Sequence, residues 1–199
     1  MNLSQILGGL SGLMLIAAYV LYFKQTLKGE SKPNPSSWAI WLVAGLINAF
    51  TYFAVVEGNV WQSLCVSMEA LGVVTVFGYA LVRGKFSQVS MVEILCFLLA
   101  VGVGIFWQVT SDDRIANLLL QSIYVISFVP TVSGLMTGRT KEHAASWSVA
   151  VIAYFLSTLS LMLDYSGDWI AFVHPVVNGL IGNGLIAYLS FKNEHRKRN

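Results

Sequence analysis

The sequence predicts an all-α integral membrane protein of seven transmembrane helices, arranged as two parallel three-helix repeats joined by a linker helix (3+1+3). Three observations carry this. Of the 199 residues, 56% are hydrophobic and only 11% charged, against about 25% charged in soluble domains, which is too little to wet a globule. Seven stretches approach the roughly 20 apolar residues that cross a bilayer. And the segment Tyr19–Trp38 recurs as Tyr124–Trp147.

In order, the predicted spans are 3–23, 38–56, 60–82, 91–109, 115–136, 147–163 and 169–191. The first lacks a basic leader and a small-residue cleavage site, so it reads as a mature helix rather than a signal peptide. It carries Gly8 and Gly12 at the spacing of close helix packing. Trp61 and Trp169 are expected at one membrane interface, and Trp38 and Trp147 at the other, as an aromatic belt. In the fourth span, Glu93 is expected to pair with Arg83 or Lys85 near the helix end.

The connections carry the charge and fix the orientation. Eleven of the twelve Lys and Arg fall on one side, in 24–32, 83–85, 139–141 and the tail from Lys192 to Arg198. Arg114 stands alone on the other side with Glu57, Asp112, Asp113, Asp164 and Asp168. Lys and Arg remain cytoplasmic, so the N-terminus faces out and the C-terminus in, which requires an odd number of spans. The expected location is a bacterial inner membrane or a plasma membrane. The lipid bilayer is then the first partner, with the basic tail leaning on anionic lipid.

The repeat divides the chain into 1–86, a linker helix in 87–111, and 112–199. Tyr19, Val20, Phe23 and Thr26 match Tyr124, Val125, Phe128 and Thr131 at a shift of 105, whereas Ser37-Trp38 match Ser146-Trp147 at 109. The second connection is therefore expected to be four residues longer than the first. Carried onward, the shift of 109 sets Glu69 opposite Asn178 and Tyr79 opposite Tyr188. Three spans per unit is odd, and one extra crossing restores a common orientation to both units, as in transporters with parallel repeats.

These features resemble the PQ-loop and SWEET transporters, and the resemblance covers nearly the whole chain. That family places a Pro-Gln pair at the inner end of the first and fifth helices. Here the first copy reads Lys24-Gln25 and the second Pro130-Thr131, each keeping one half. The resemblance implies alternating access, with Pro130, Gln25 and Thr131 at an inner hinge. A proline there removes a backbone donor and loosens the helix. Spans two and six lack the prolines that sugar-transporting members tend to carry.

The candidate solute site follows from intramembrane polar residues. Glu69 lies eight residues beyond Trp61, on the order of 12 Å along a helix, and an ionisable group near the midplane is functional by default. It suits a counter-charge for a cationic solute or a carboxyl that exchanges a coupling proton; a protonated acid tying helices together is the alternative. Asn178 resembles the pocket asparagine of SWEET-like proteins, and its amide both donates and accepts. Asn48 in span two and Ser157 in span six, with Ser160 beside it, are candidates to extend the pocket. Asn117, Gln121, Tyr124, Phe128 and Thr131 form one polar-to-aromatic face of span five, which must turn away from lipid. Gln121 and Tyr124 are its candidate solute contacts. His174 reads either as a proton-relay partner of Glu69 or gate residue, or as a neutral ring bonded to a carbonyl freed by Pro175.

Other classes are disfavoured. Cys65 and Cys96 sit in apolar runs, and no metal-binding spacing occurs, so no disulfide, metal or cofactor is expected. No nucleophile–base pair or facing aspartates mark an enzyme, and nucleic acid is not an expected partner. A retinal protein needs a lysine within the last span, and Lys192 lies only at its end. The expected function is transport of a small polar solute, neutral or cationic: an amino acid, amine, vitamin or sugar, by facilitation or with protons as the coupling ion. The alternative is a receptor on the same scaffold, similar to the KDEL receptors, that binds without transporting. A homo-oligomer is left open.

Overall fold

The computed structural model describes residues 1–33, 35–83, 91–165 and 167–196, without the side chains of residues 35, 36, 80, 92, 93 and 96. The boundary at 86–87, the Glu93–Lys85 pairing, Cys96, Lys197 and Arg198 lie outside the described residues. The described chain is helical: α1 (Leu3–Leu27), α2 (Pro35–Val55), α3 (Val60–Arg83), α4 (Met91–Thr110), α5 (Asp113–Met136), α6 (Ala144–Leu163) and α7 (Ile170–Arg196). All but α4 are long and apolar enough to cross a membrane. At 20 residues and about 1.5 Å each, α4 matches the roughly 30 Å hydrocarbon core and makes a seventh. Outward faces carry the large apolar side chains, Leu13, Phe50, Leu71 and Val109 among them. The protein is thus a multi-pass helical membrane protein.

Helix ends are written locally. Asn2 opens α1 with a capping box: its Oδ1 accepts from the Gln5 N–H at 2.9 Å while Gln5 Oε1 accepts from the Asn2 N–H at 3.0 Å. Asp112 caps α5, accepting from the Ile115 N–H at 3.0 Å, with its charge at the positive end of the helix dipole. α1 and α5 both close on a glycine in the left-handed region, Gly29 at φ 70° and Gly138 at φ 72°, where a side chain would be strained. In both, the next residue bonds back five positions, Glu30 to Gln25 O and Arg139 to Gly134 O, each at 2.8 Å.

These matched ends correct one expectation. The connections run 28–34 and 137–143 and are equal in length, so the second loop is not longer. The four residues separating the shifts of 105 and 109 are about one helical turn, and α5 absorbs them beyond Thr131. The spatial counterpart of Tyr19 changes accordingly. A Cβ at Gly72 would strike the Tyr19 ring, and one at Gly182 would meet the Phe128 ring, so Phe128 occupies the place assigned to Tyr124.

α1 packs along α6 and α3, α2 along α3 and α5, and α7 along α6 and α5; α4 touches α2 and α5. Small residues set the closest approach. A Cβ at Gly8 would overlap the Trp61 carbonyl of α3, and one at Gly12 would lie 3.1 Å from the Leu64 Cβ. On the other side Ser4 and Ser160 exchange bonds to each other's carbonyl, at 2.9 and 2.8 Å, locking α1 to α6. The Gly8–Gly12 face is therefore used inside the chain. Trp38 and Trp147, expected in an interfacial belt, are instead 4% and 7% exposed, because they turn into the bundle.

Gly8→Val should lower the unfolding temperature in detergent by several degrees, since overpacking a tight contact costs about 1–3 kcal/mol. Gly78→Ala, where an added Cβ meets nothing within 4 Å, should leave it unchanged.

Candidate functional site

The site begins with Pro175 in α7. Proline cannot donate to the carbonyl four residues back, which is that of Ala171, and the hydroxyl of Tyr52 on α2 donates to this carbonyl instead at 2.9 Å. From His174 to Gly182 the helix widens to π geometry, a form that recurs at functional sites. With the freed carbonyl taken by Tyr52, the His174 ring bonds to side chains. Its Nε2 lies 2.7 Å from Glu69 Oε2 on α3. Among the described residues α3 and α7 do not pack on each other, so this pair reaches across a gap.

The other face of the ring enters an amide network. His174 Nδ1 lies 2.9 Å from Gln121 Oε1 and 3.3 Å from Asn48 Nδ2. Gln121 donates from Nε2 to Asn48 Oδ1 at 3.0 Å and to Asn117 Oδ1 at 3.2 Å. Asn117 donates to Asn48 Oδ1 at 2.9 Å and to Thr51 Oγ1 at 3.2 Å, and Asn178 Nδ2 donates to Gln121 Oε1. Every member is buried and tied to another, the condition under which a polar cluster in lipid is stable. The network joins α2, α5 and α7 in the half of the bundle facing the acidic loops.

Beyond it, toward the basic loops, lies a cavity of about 50 Å³, room for a few waters. Glu69, Asn178 and Tyr124 stand on its wall beside Tyr19 and Tyr154. Asn178 Oδ1 and Tyr124 Oη are buried without a hydrogen-bond partner. Toward the basic end the cavity is walled by Tyr22, Trp38, Trp41, Phe128 and Trp147. These rings touch edge-on or tilted: Tyr22–Trp38 at 5.0 Å, Trp38–Trp41 at 5.2 Å and Trp41–Phe128 at 5.5 Å between centroids.

Beneath these rings the two basic loops are stitched together. Lys32 N–H donates to Lys141 O at 2.8 Å, Lys141 Nζ to Gly29 O at 3.1 Å, and His143 N–H to Ser31 Oγ at 3.0 Å. Gln25 Nε2 meets His143 Nδ1 at 3.2 Å. Between loops and rings sits Glu142, buried, accepting from the Tyr22 hydroxyl at 3.0 Å and from Trp147 Nε1–H at 3.2 Å. Burial pushes its carboxyl up to about 7, and the hydrogen bonds from Trp147, Tyr22 and Ser31 pull partly back. At the opposite end Arg114 pairs with Asp168 at 3.0 Å.

Of the six expected solute contacts, Glu69, Asn178 and Tyr124 line the cavity. Asn48 and Gln121 stand behind it in the network. Ser157 is buried off the cavity wall with its hydroxyl unpaired. At the expected hinge, Pro130 lies within α5, the Thr131 carbonyl accepts from Thr140 Oγ1 at 3.5 Å, and Gln25 is buried against His143. Sequence reasoning missed Tyr154 and Glu142. Glu142 had a signal, as an acid isolated between Lys141 and His143; Tyr154 had none, since its place is set by Gly179 of another helix, where a Cβ would strike its ring. Comparison with family models, with characterised proteins and with solved structures returns no match.

Because the folded-state value of Glu142 lies above the ordinary 4.5, the fold favours its protonated form. Its contribution is complete below about 4.5 and is lost as pH rises through about 7. The unfolding temperature should therefore fall by a few degrees between about pH 5 and 8, and Glu142→Gln should flatten that dependence in a thermal-shift titration.

Proposed function

We propose that this protein is a membrane transporter that moves a small polar solute, neutral or cationic, by alternating access between two three-helix halves, α1–α3 and α5–α7, with α4 as the linker. The observation that carries the reading is the part-buried Glu69–His174 pair, bridging the two halves at the wall of an intramembrane cavity. Ionisable groups at such depth are costly and mark solute or proton pathways. Two further features support it. The contacts between halves come as an exchanged pair, α1 on α6 and α2 on α5, as a two-fold axis along the membrane normal would generate. The cavity is also bounded by two separable closures, an amide network on one side and aromatic rings over stitched loops on the other.

In this reading the basic loops face the cytoplasm, with the N-terminus outside. Glu142 and the paired loops form the inner closure, the Arg114–Asp168 pair lies at the outer one, and Pro130, Gln25 and Thr131 serve the inner hinge. Among the described residues no Lys or Arg lines the cavity, which disfavours an anionic solute and with it a receptor for a peptide carboxylate.

The test is uptake of a mixed pool of small metabolites into proteoliposomes, read by mass spectrometry. The wild type should accumulate a neutral or cationic solute selectively, and Glu69→Gln should lose at least about tenfold of that rate, roughly 1.4 kcal/mol, at unchanged folded yield. Thermal stabilisation by a solute that never crosses would favour the receptor instead.

A further inference from the structure

The cavity wall combines one carboxyl, unpartnered oxygens and many aromatic rings. Eight of its sixteen lining residues are aromatic, and Glu69 is the single ionisable carboxyl among them. Ring faces attract cations. The two polar atoms on the wall that lack partners, Asn178 Oδ1 and Tyr124 Oη, are both oxygens, able to accept a hydrogen bond. Among the described residues no Lys, Arg or His lines the wall; His174 stands behind Glu69, fully buried.

His174 Nδ1 has both a donor and an acceptor within reach. With Nε2–H facing Glu69, a bare Nδ1 accepts from Asn48 Nδ2; a protonated Nδ1 donates to Gln121 Oε1. The other groups facing the ring are the phenols Tyr52 on α2, Tyr124 on α5 and Tyr154 on α6. Cys65 and Tyr19 lie close by in the same apolar cluster as Tyr154. All of these are neutral near pH 7, so among the described residues Glu69 alone supplies a charge to balance a proton on His174.

We infer that the cavity binds a small protonated primary or secondary amine, with an apolar body of one or two carbons, and that this cation and a proton on His174 compete for the Glu69 carboxylate. This deepens the transport reading, on which its role in exchange rests, though the binding claim stands apart from it. The ammonium N–H groups bond Glu69 and Asn178 Oδ1 while the apolar body lies among the rings. When His174 is protonated, Glu69 is already neutralised and a second cation is unfavourable. When the ring is neutral, the carboxylate charge is free for the amine. One cation enters as one proton leaves, so the charge of the site is conserved. Across a membrane that competition becomes amine–proton exchange.

The test uses methylammonium and its isostere methanol, with formate as an anion of similar size, on purified wild-type protein. Only the ammonium should raise the unfolding temperature. Its apparent affinity should fall about tenfold per pH unit once His174 is protonated, and binding in weak buffer should release close to one proton, read with an indicator dye. Glu69→Gln should abolish the effect, and His174→Gln should keep binding while removing its pH dependence. Equal stabilisation by methanol, or binding of the ammonium without proton release, would overturn the inference, and because the wild type carries this comparison, a misfolded variant cannot decide it. Uptake of a neutral solute alone, with no ammonium binding, would overturn the cation site and leave the transporter standing. Ammonium binding with no uptake of any solute would do the reverse.

Discussion

A polar group inside a bilayer has nowhere to go but another protein group, and that constraint organises this bundle. Pro175 leaves the Ala171 carbonyl without its helical donor. In water a solvent molecule would take it; here Tyr52 does, from a different helix. That bond ties α2 to α7 and leaves the neighbouring imidazole free of backbone duty. The ring then engages Glu69 on one side and the Asn48–Asn117–Gln121 amides on the other. One missing N–H thus propagates through named bonds to the placement of the ionisable pair.

The two ends of the cavity are closed by different physics. The side toward the acidic loops is held by directional amide bonds among Asn48, Asn117 and Gln121. The side toward the basic loops is held by ring packing, by one carboxyl that both Tyr22 and Trp147 address, and by the hydrogen bonds that stitch the two loops. Rings slide past one another at little cost, whereas a buried amide cannot leave its partner without a full desolvation cost.

How much of this was legible in the sequence depends on whether the signal was local. The helices were legible because hydropathy over a span needs no knowledge of neighbours. The inward face of α5 was legible too, since Asn117, Gln121 and Tyr124 cannot face lipid. Trp38 and Trp147 were misplaced because an interfacial and an inward-turned tryptophan share the same depth; the choice lies in helix rotation, which depends on the partner helix. The four-residue shift was put in the loop because a helix hides one extra turn almost perfectly. The offset of about one turn keeps Phe128 on the face that Tyr124 would otherwise fill. The sequence offered His174 either as a partner of Glu69 or as a ring bonded to the carbonyl freed by Pro175; Tyr52 takes that carbonyl from another span, which no spacing within one helix can reveal.

The position of the pair has a mechanical consequence. Glu69 belongs to α3 and His174 to α7, helices that meet only through their side chains across the cavity. If the halves rock apart, the pair must separate. In a low-dielectric interior an unpartnered ion costs several kcal/mol, so an empty, separated site is the state the molecule avoids. An occupant that neutralises Glu69 removes that penalty, and so does a proton on the carboxylate itself. Loaded forms can then move where the empty, ionised form is held, which is the condition for exchange rather than leak.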